Sequence, residues 1–327
     1  MHRFVSLFIG TLFAAFASVT SGEEIAVGNY GVSANGMPFG VALVKGYFKE
    51  EGLNITGLIS SAGGGTSLRN MLAGGGVPYG EVNPGVVVSA ILAGADLKII
   101  SDNVLTVAEF VWAVKPESPI KSLKDFKGKK IGYTNPRSTS QALARMLLQA
   151  GGYTEADAEL VKTGGFGEGI AALDSGQIDV AAITEPLWSK VKHKYRAVVV
   201  ASEVLPPLDN VVGVTTVEMA EKKGDFLRAV IRARRKAVKF MIANPDEAAE
   251  IVAKQYNIEL DVAKSAVRNL TTSKTKGVPY WGEGQIHMEG LKRMIEAQRS
   301  VGAITGEVDY NKIIDTRFLP DDLKAIR

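Results

Sequence analysis

The sequence predicts an α/β protein of two lobes, each a mostly parallel sheet flanked by helices. Three observations carry this. β-like runs alternate with helical runs as far as Ala201, which is the pattern of parallel strands covered on both faces. The rhythm stops at the proline-marked stretch Lys115–Pro119 and then starts again. Beyond Thr216 the chain reads almost entirely as helix.

In order, Ile25–Asn29 is a short strand that leads into the polar loop Tyr30–Met37. Pro38–Glu50 has helical spacing (Phe39, Ala42, Leu43, Phe48) and is stopped by Gly52. Asn54–Ile59 is a strand, followed by the turn Ala62-Gly63-Gly64-Gly65-Thr66-Ser67 and a helix through Leu72. Val77–Val82 is a weak strand and Val86–Leu92 a helix ended by Gly94. Lys98–Ser101 and Phe110–Val114 are strands. After the prolines, Lys130–Tyr133, Glu159–Thr163, Ile178–Ile183 and Ala197–Ala201 read as strands. Between them, Ser138–Ala150, Gly169–Leu173 and Pro186–Lys192 read as helices. Pro206-Pro207 marks a second boundary, and Val211–Thr216 is a strand placed to return to the first lobe. Phe226–Ala243, Pro245–Gln255, Leu260–Leu270 and Gln285–Gly302 are helical.

Composition limits the function. In 327 residues, 46% are hydrophobic and Lys plus Arg is 38 against 35 Asp plus Glu, so the formal charge is only +3. A balance that even argues against nucleic acid, and the apolar content argues against disorder. Cysteine is absent, which removes disulfides, thiolate metal sites and a cysteine nucleophile. The histidines His2, His193 and His287 leave little for a metal, and no Ser/His/Asp arrangement is arguable; the expectation is no cofactor and no metal.

Arg3 precedes an apolar run from Phe4 to Val19, with no charge until Glu23 and small residues at Ser18, Thr20, Ser21 and Gly22. This reads as a secretory signal over residues 1–22, too short for the roughly 20 apolar residues that span a bilayer. No cysteine follows it, so the expected mature chain is exported, unlipidated and freely diffusing, which suits the periplasm.

In open α/β sheets, ligands sit beyond the carboxyl ends of the strands. Gly63-Gly64-Gly65 allows close backbone approach before a helix start. Asn135-Pro136-Arg137-Ser138-Thr139-Ser140 also opens a helix and offers hydroxyls and a guanidinium suited to a carboxylate or sulfonate. The plainer reading is that Ser138 or Thr139 is an N-cap and Arg137 a solvated charge. Other motifs fail. Ser61–Ser67 lacks the Gly-Lys-Ser/Thr ending of a phosphate loop, and Gly167-Glu168-Gly169 with Glu185 is too short a dinucleotide match. Arg232-Ala233-Arg234-Arg235-Lys236 reads as a solvated helix face.

Longer stretches carry a resemblance. They include Gly46-Tyr47-Phe48-Lys49-Glu50-Glu51-Gly52-Leu53, Ala93-Gly94-Ala95-Asp96-Leu97, Ser122-Leu123-Lys124-Asp125-Phe126-Lys127-Gly128-Lys129-Lys130-Ile131-Gly132, Ala171–Val180, Glu185-Pro186 and Asn244–Ala249. The chain resembles the periplasmic solute-binding proteins of ABC importers, in the nitrate/sulfonate/taurine and thiamine-pyrimidine-precursor branch. Pro78 departs from that pattern, where an acidic residue is more usual. The resemblance implies the two-lobed periplasmic binding protein fold (type II), with two segments crossing near Val114–Pro116 and Pro206–Asn210. The implied organisation is a first lobe over residues 23–114, a second over 115–206, and a return to the first over 207–327.

The implied mechanism is capture of a small molecule by closing lobes, followed by delivery to a membrane permease with its ATPase. Candidate ligand contacts are Asn35, Met37, Phe39, Gly64, Gly65, Thr66 and Asn83 from the first lobe. From the second they are Arg137, Ser138, Thr139, Phe166 and Glu185. Each has a plainer alternative: Phe39 as core, Asn35 and Asn83 as turn residues, Glu185 as a helix cap. Trp112 and Trp188 read as packing, while Trp281 could reach the cleft rim. Arg137 with Glu185 would suit a sulfonate, a taurine-like zwitterion or an aromatic carboxylate better than a bare anion. A monomer is expected. A sensory subunit and a thiamine-pyrimidine-precursor binder are the alternatives. An enzyme related to the eukaryotic thiamine-pyrimidine synthase is disfavoured, because that enzyme relies on cysteines this chain lacks.

Overall fold

A computed structural model describes residues 22–61, 64–73 and 77–325. The expected export signal therefore lies outside the described residues, as does Gly63.

The chain begins with β1 (Glu23–Gly28), α1 (Met37–Val44) and α2 (Tyr47–Glu50). The single helix expected over Pro38–Glu50 is two, because Gly46 sits at φ 75°, a left-handed turn that glycine adopts freely. Next come β2 (Ile55–Ser61), α3 (Gly64–Ala73), β3 (Gly80–Val82), α4 (Pro84–Leu92), β4 (Leu97–Val104) and β5 (Phe110–Val114). β6 (Lys130–Tyr133), α5 (Thr139–Ala150), β7 (Glu159–Lys162), α6 (Phe166–Asp174) and β8 (Ala181–Thr184) follow. Then come α7 (Leu187–Val191), β9 (Arg196–Val200), α8 (Ala201–Val204), β10 (Val211–Thr216) and α9 (Val217–Lys222). The remainder is α10 (Gly224–Ala243), α11 (Pro245–Tyr256), α12 (Leu260–Thr272), the short strands β11 (Lys274–Thr275), β12 (Val278–Pro279) and β13 (Trp281–Gly284), α13 (Met288–Ser300) and α14 (Tyr310–Ile313).

Six strands form the first sheet in the order β13-β4-β10-β3-β1-β2. β1 runs parallel to β2 and β3, while β10 is antiparallel to both of its neighbours. In the second lobe β5 is antiparallel to β8 and β9, β6 pairs in parallel with β7, and an Ile131–Val180 bridge sets β6 beside β8. The architecture is the two-lobed α/β arrangement.

The lobe boundaries differ from expectation. Phe110–Val114 pairs with β8 and β9, so the chain changes sheet between Val104 and Phe110, ahead of the boundary expected at Val114. The signal was misread because Pro116 and Pro119 mark the far end of β5, away from the hinge. The segment from Leu205 to Asn210 makes the return. The C-terminal helices do not belong to the first lobe alone: α13 packs on α4 and α5, and α12 on α7. Trp281 is buried in β13, paired with Val104 of β4, and not on a rim. A β-strand in a stretch rich in Gly and Pro escaped the pattern because it is short and at a sheet edge.

The largest core joins the first sheet to α1, α10, α11 and α12. β5 illustrates the second lobe: Phe110, Trp112 and Val114 point into one core with α5, while Val111 and Ala113 point into another with α6. Burial on both faces is why this strand reads as a continuous apolar run.

Candidate ligand-binding site

The end of β3 in the first lobe meets the start of α5, which follows β6 in the second. Asn83, directly after β3, is the N-cap of α4: its Oδ1 accepts the Gly85 N–H at 2.8 Å, and Pro84 follows. Asparagine caps helices and proline suits the first helical position, so this end was fixed locally. The Asn83 amide nitrogen is then free to point across. It donates to Thr139 Oγ1 at 2.8 Å and to the Asn210 backbone oxygen at 3.1 Å.

Thr139 opens α5, whose N-cap Ser138 accepts the Gln141 N–H at 3.2 Å. Ser138 and Ser140 share a hydroxyl contact at 2.9 Å, and Ser140 Oγ accepts the Thr134 N–H at 3.0 Å. The Ser138 hydroxyl is therefore occupied as a cap, while Thr139 makes the bridge between lobes. Arg137 is exposed and left-handed at φ 64°, with its N–H on Gln141 Oε1 at 2.7 Å.

Phe166 opens α6, half-buried, with its ring edge-on to Phe110 at 6.0 Å. Gly64 and Gly65 open α3. Among the described residues a Cβ on Gly65 would meet Arg69 at 3.7 Å, and Thr66 Oγ1 accepts from Arg69 at 2.8 Å.

Several expected contacts are placed elsewhere. Met37 and Phe39 are fully buried, Phe39 against Tyr79 at 5.9 Å and beneath the Arg234 guanidinium at 5.7 Å. They are core, because α1 turns that face onto the sheet. Asn35 is a buried strut, donating to the Gly28 carbonyl and to Glu81 Oε2, each at 3.0 Å. Glu185 is buried and accepts from the Ser189 N–H at 3.1 Å, the Ser189 hydroxyl at 3.1 Å and Asn269 Nδ2 at 2.8 Å. It caps α7 and ties it to α12. Arg137 and Glu185 thus do not form the paired charges that a zwitterion would need.

The sequence reading missed a buried polar floor beneath the first-lobe loops. Glu81 on β3 has no exposure; Asn103 Nδ2 donates to its Oε1 at 3.0 Å and Arg234 Nε lies 3.6 Å away. Burial pushes Glu81 up to about 7, against the opposing pull of Arg234, Asn35 and Asn103. Arg234 also donates to the carbonyls of Gly282 at 2.7 Å and Asn103 at 2.6 Å. The supposed solvated face is therefore wrong for Arg234, although Arg232, Arg235 and Lys236 are outward and paired with Glu51, Asp322 and Glu50. A signal did exist: Val230, Arg234 and Val238 lie four apart on the buried stripe of α10.

A second missed group holds the crossings together. Asn210 donates its N–H to the Val104 carbonyl at 2.8 Å and its amide to Glu109 Oε1 at 2.6 Å. Burial pushes Glu109 up to about 8. A separate cavity of about 690 Å³, lined by Val111, Trp188, Leu205 and Asn269 among others, lies between the second lobe and α12. None of the expected contacts lines it. Among the described residues no group of His, Asp or Glu is arranged to hold a metal, and no helix is long and apolar enough to cross a membrane.

A family described as NMT1/THI5 like matches residues 33–248, well over half the chain. The chain belongs to that family. Membership agrees with the resemblance seen in the sequence. Among curated proteins the chain is similar to the riboflavin-binding protein RibY of Chloroflexus aurantiacus, 23% identical over 297 residues, covering 86% of this chain and 82% of the relative. Among solved structures, the aliphatic sulphonate binding protein SsuA of Escherichia coli superposes with a TM-score of 0.75 at 19% identity, over 90% of this chain and 92% of that one. The desulfurization enzyme DSZB shares the fold with a TM-score of 0.63 at 12% identity, over 91% and 97%. The family and SsuA fix the fold as that of periplasmic binding proteins, and DSZB shows that the fold alone does not separate binding from catalysis.

Proposed function

We propose that this chain is the exported solute-binding subunit of an ABC importer. It captures a small organic solute bearing an acidic group between its lobes and presents the closed form to a membrane permease. The observation that carries this reading is the bond from Asn83 to Thr139. It joins the two lobes at two helix N-termini, where the positive ends of α4 and α5 converge. Such a place favours negative charge, and Arg137 stands at the entrance to α5. Ligand would meet one lobe first, and hinge motion at the two crossings would bring the other onto it.

Because Glu185 is committed to Ser189 and Asn269, the reading narrows from a zwitterion to an acid, a sulfonate or an aromatic carboxylate. A second reading, a neutral heteroaromatic solute, is favoured by the NMT1/THI5-like family and by the riboflavin-binding relative. Delivery to a sensory receptor would use the same closed surface. Binding is preferred to catalysis because the chain has no cysteine and the His287 imidazole is engaged with Asp209.

A thermal-shift panel of alkanesulfonates, aromatic carboxylates, nitrate, pyrimidines and flavins tests the reading, since a ligand that binds only the folded chain raises its melting temperature. An acidic organic solute should give the largest shift. A shift from pyrimidines or flavins alone would support the second reading and reject the first.

A further inference from the structure

The second crossing is held to the first lobe by groups outside the cleft. Asp102 on β4 and Asp209 in the crossing are both fully buried, and their carboxyl groups face each other. Asp102 Oδ2 accepts the His287 backbone N–H at 2.8 Å. Asp209 Oδ1 lies 3.1 Å from His287 Nδ1, and the Asp209 N–H donates to the Gly290 carbonyl at 3.2 Å. The fit is close enough that a side chain on Gly290 would collide with both Asp209 and His287.

This leaves Asp102 Oδ1 and Asp209 Oδ2, buried and with no other partner among the described residues. Two facing carboxylates in a buried site cannot both be ionised without strong repulsion, so a proton belongs between them. The hydrogen bonds say where. With His287 neutral and its Nδ1–H donating to Asp209, Asp209 is the acceptor on both oxygens and Asp102 is the acid, donating from Oδ1. One proton then satisfies every polar atom of the cluster. Burial holds both carboxyls well above the ordinary range, and their mutual bond raises Asp102 while lowering Asp209. The other charged groups on the packed elements are Arg293 and Glu289 of α13, with Arg234 of α10 reaching the carbonyl of the adjacent Asn103. Arg293 favours ionised Asp209, which agrees with the assignment.

We propose that this shared proton is a latch on the hinge. While it is held, the second crossing is tied to β4. When it leaves to solvent, two facing carboxylates push the crossing away from the first lobe and loosen the arrangement of both lobes, which α13 also contacts. The inference adds a pH response to solute capture and does not depend on which solute is bound.

The test uses Asp102→Asn in the full chain. An amide at this position accepts the His287 N–H and donates to Asp209, so it imitates the latched state at every pH. Protection of the Asp209 and Asn210 amides against hydrogen exchange, corrected for intrinsic base catalysis, is followed from pH 5 to 9. In the unaltered chain protection should fall about tenfold per pH unit once the proton is lost, while Asp102→Asn should stay level. Parallel profiles for the two proteins would overturn the latch. Carbon-13 carboxyl titration of the unaltered chain decides the matter even if the variant does not fold: one of the pair should titrate far above ordinary carboxylates. Both titrating in the ordinary range would overturn it.

Discussion

Asn83 donates its side-chain amide to Thr139 Oγ1 at 2.8 Å, so the cap of α4 in one lobe touches the first residue of α5 in the other. The two residues have separable roles. Asn83 also caps a helix, whereas Thr139 contributes only the bridging hydroxyl. Asn83→Ala should therefore lower stability by about 1 kcal/mol through the lost cap and also open the lobes. Thr139→Val should open them with little change in melting temperature. Small-angle scattering of the ligand-free proteins reads the opening; unchanged radii of gyration in both variants would contradict the bridge.

Arg137 is exposed and holds a left-handed backbone, so its side chain is not needed for packing. Arg137→Gly should leave the melting temperature unchanged or raise it slightly, because glycine adopts that backbone without a steric penalty. If the guanidinium meets the acidic group of the solute, affinity should fall about 10-fold or more, the scale of a charged hydrogen bond. Calorimetric titration with an acidic solute checks this, and full affinity would remove Arg137 from the site.

Glu185 is a structural anchor on this account. Glu185→Ala strands the buried Ser189 hydroxyl and N–H, and releases the exposed Asn269, and should cost about 1–3 kcal/mol, measured by urea unfolding. The order in which acidic and neutral solutes bind should not change. A switch in that order would return Glu185 to the ligand.

Glu109 sits among the crossings, and burial pushes it up to about 8. Between the ordinary carboxylate range and about 8, the folded chain keeps a proton that the unfolded chain has released. Stability must then fall as pH rises through that window, by about 1.4 kcal/mol per unit for one such proton. Glu109→Gln keeps the bond with Asn210 possible and removes that titration, so its curve of melting temperature against pH should be flatter from pH 5 to 8. A slope equal to that of the unaltered chain would show Glu109 ionised.

The sequence was legible where local chemistry decides the outcome. Ser138 is readable as the cap of the helical run it precedes, whereas Asn83, read as a ligand contact or a turn residue, instead caps α4, and the two caps bring Asn83 to Thr139. Phe39 and Met37 were ambiguous for the same reason: a residue just after a strand can face the cleft or the sheet, and only the packing of α1 on α10 decides. Arg234 was hidden inside a basic run although its four-residue spacing from Val230 and Val238 marks the buried stripe. Asp102 and Asp209 carried no local signal at all. They stand more than a hundred positions apart, and the pairing of β10 with β4 is what makes them neighbours.

The account stands most directly on what the cleft holds. Calorimetric titration of the chain with an alkanesulfonate and an aromatic carboxylate, beside a pyrimidine and a flavin of similar size, decides it. The account predicts saturable binding of an acidic solute that Thr139→Val weakens. Binding confined to the neutral rings and indifferent to Thr139 would contradict it.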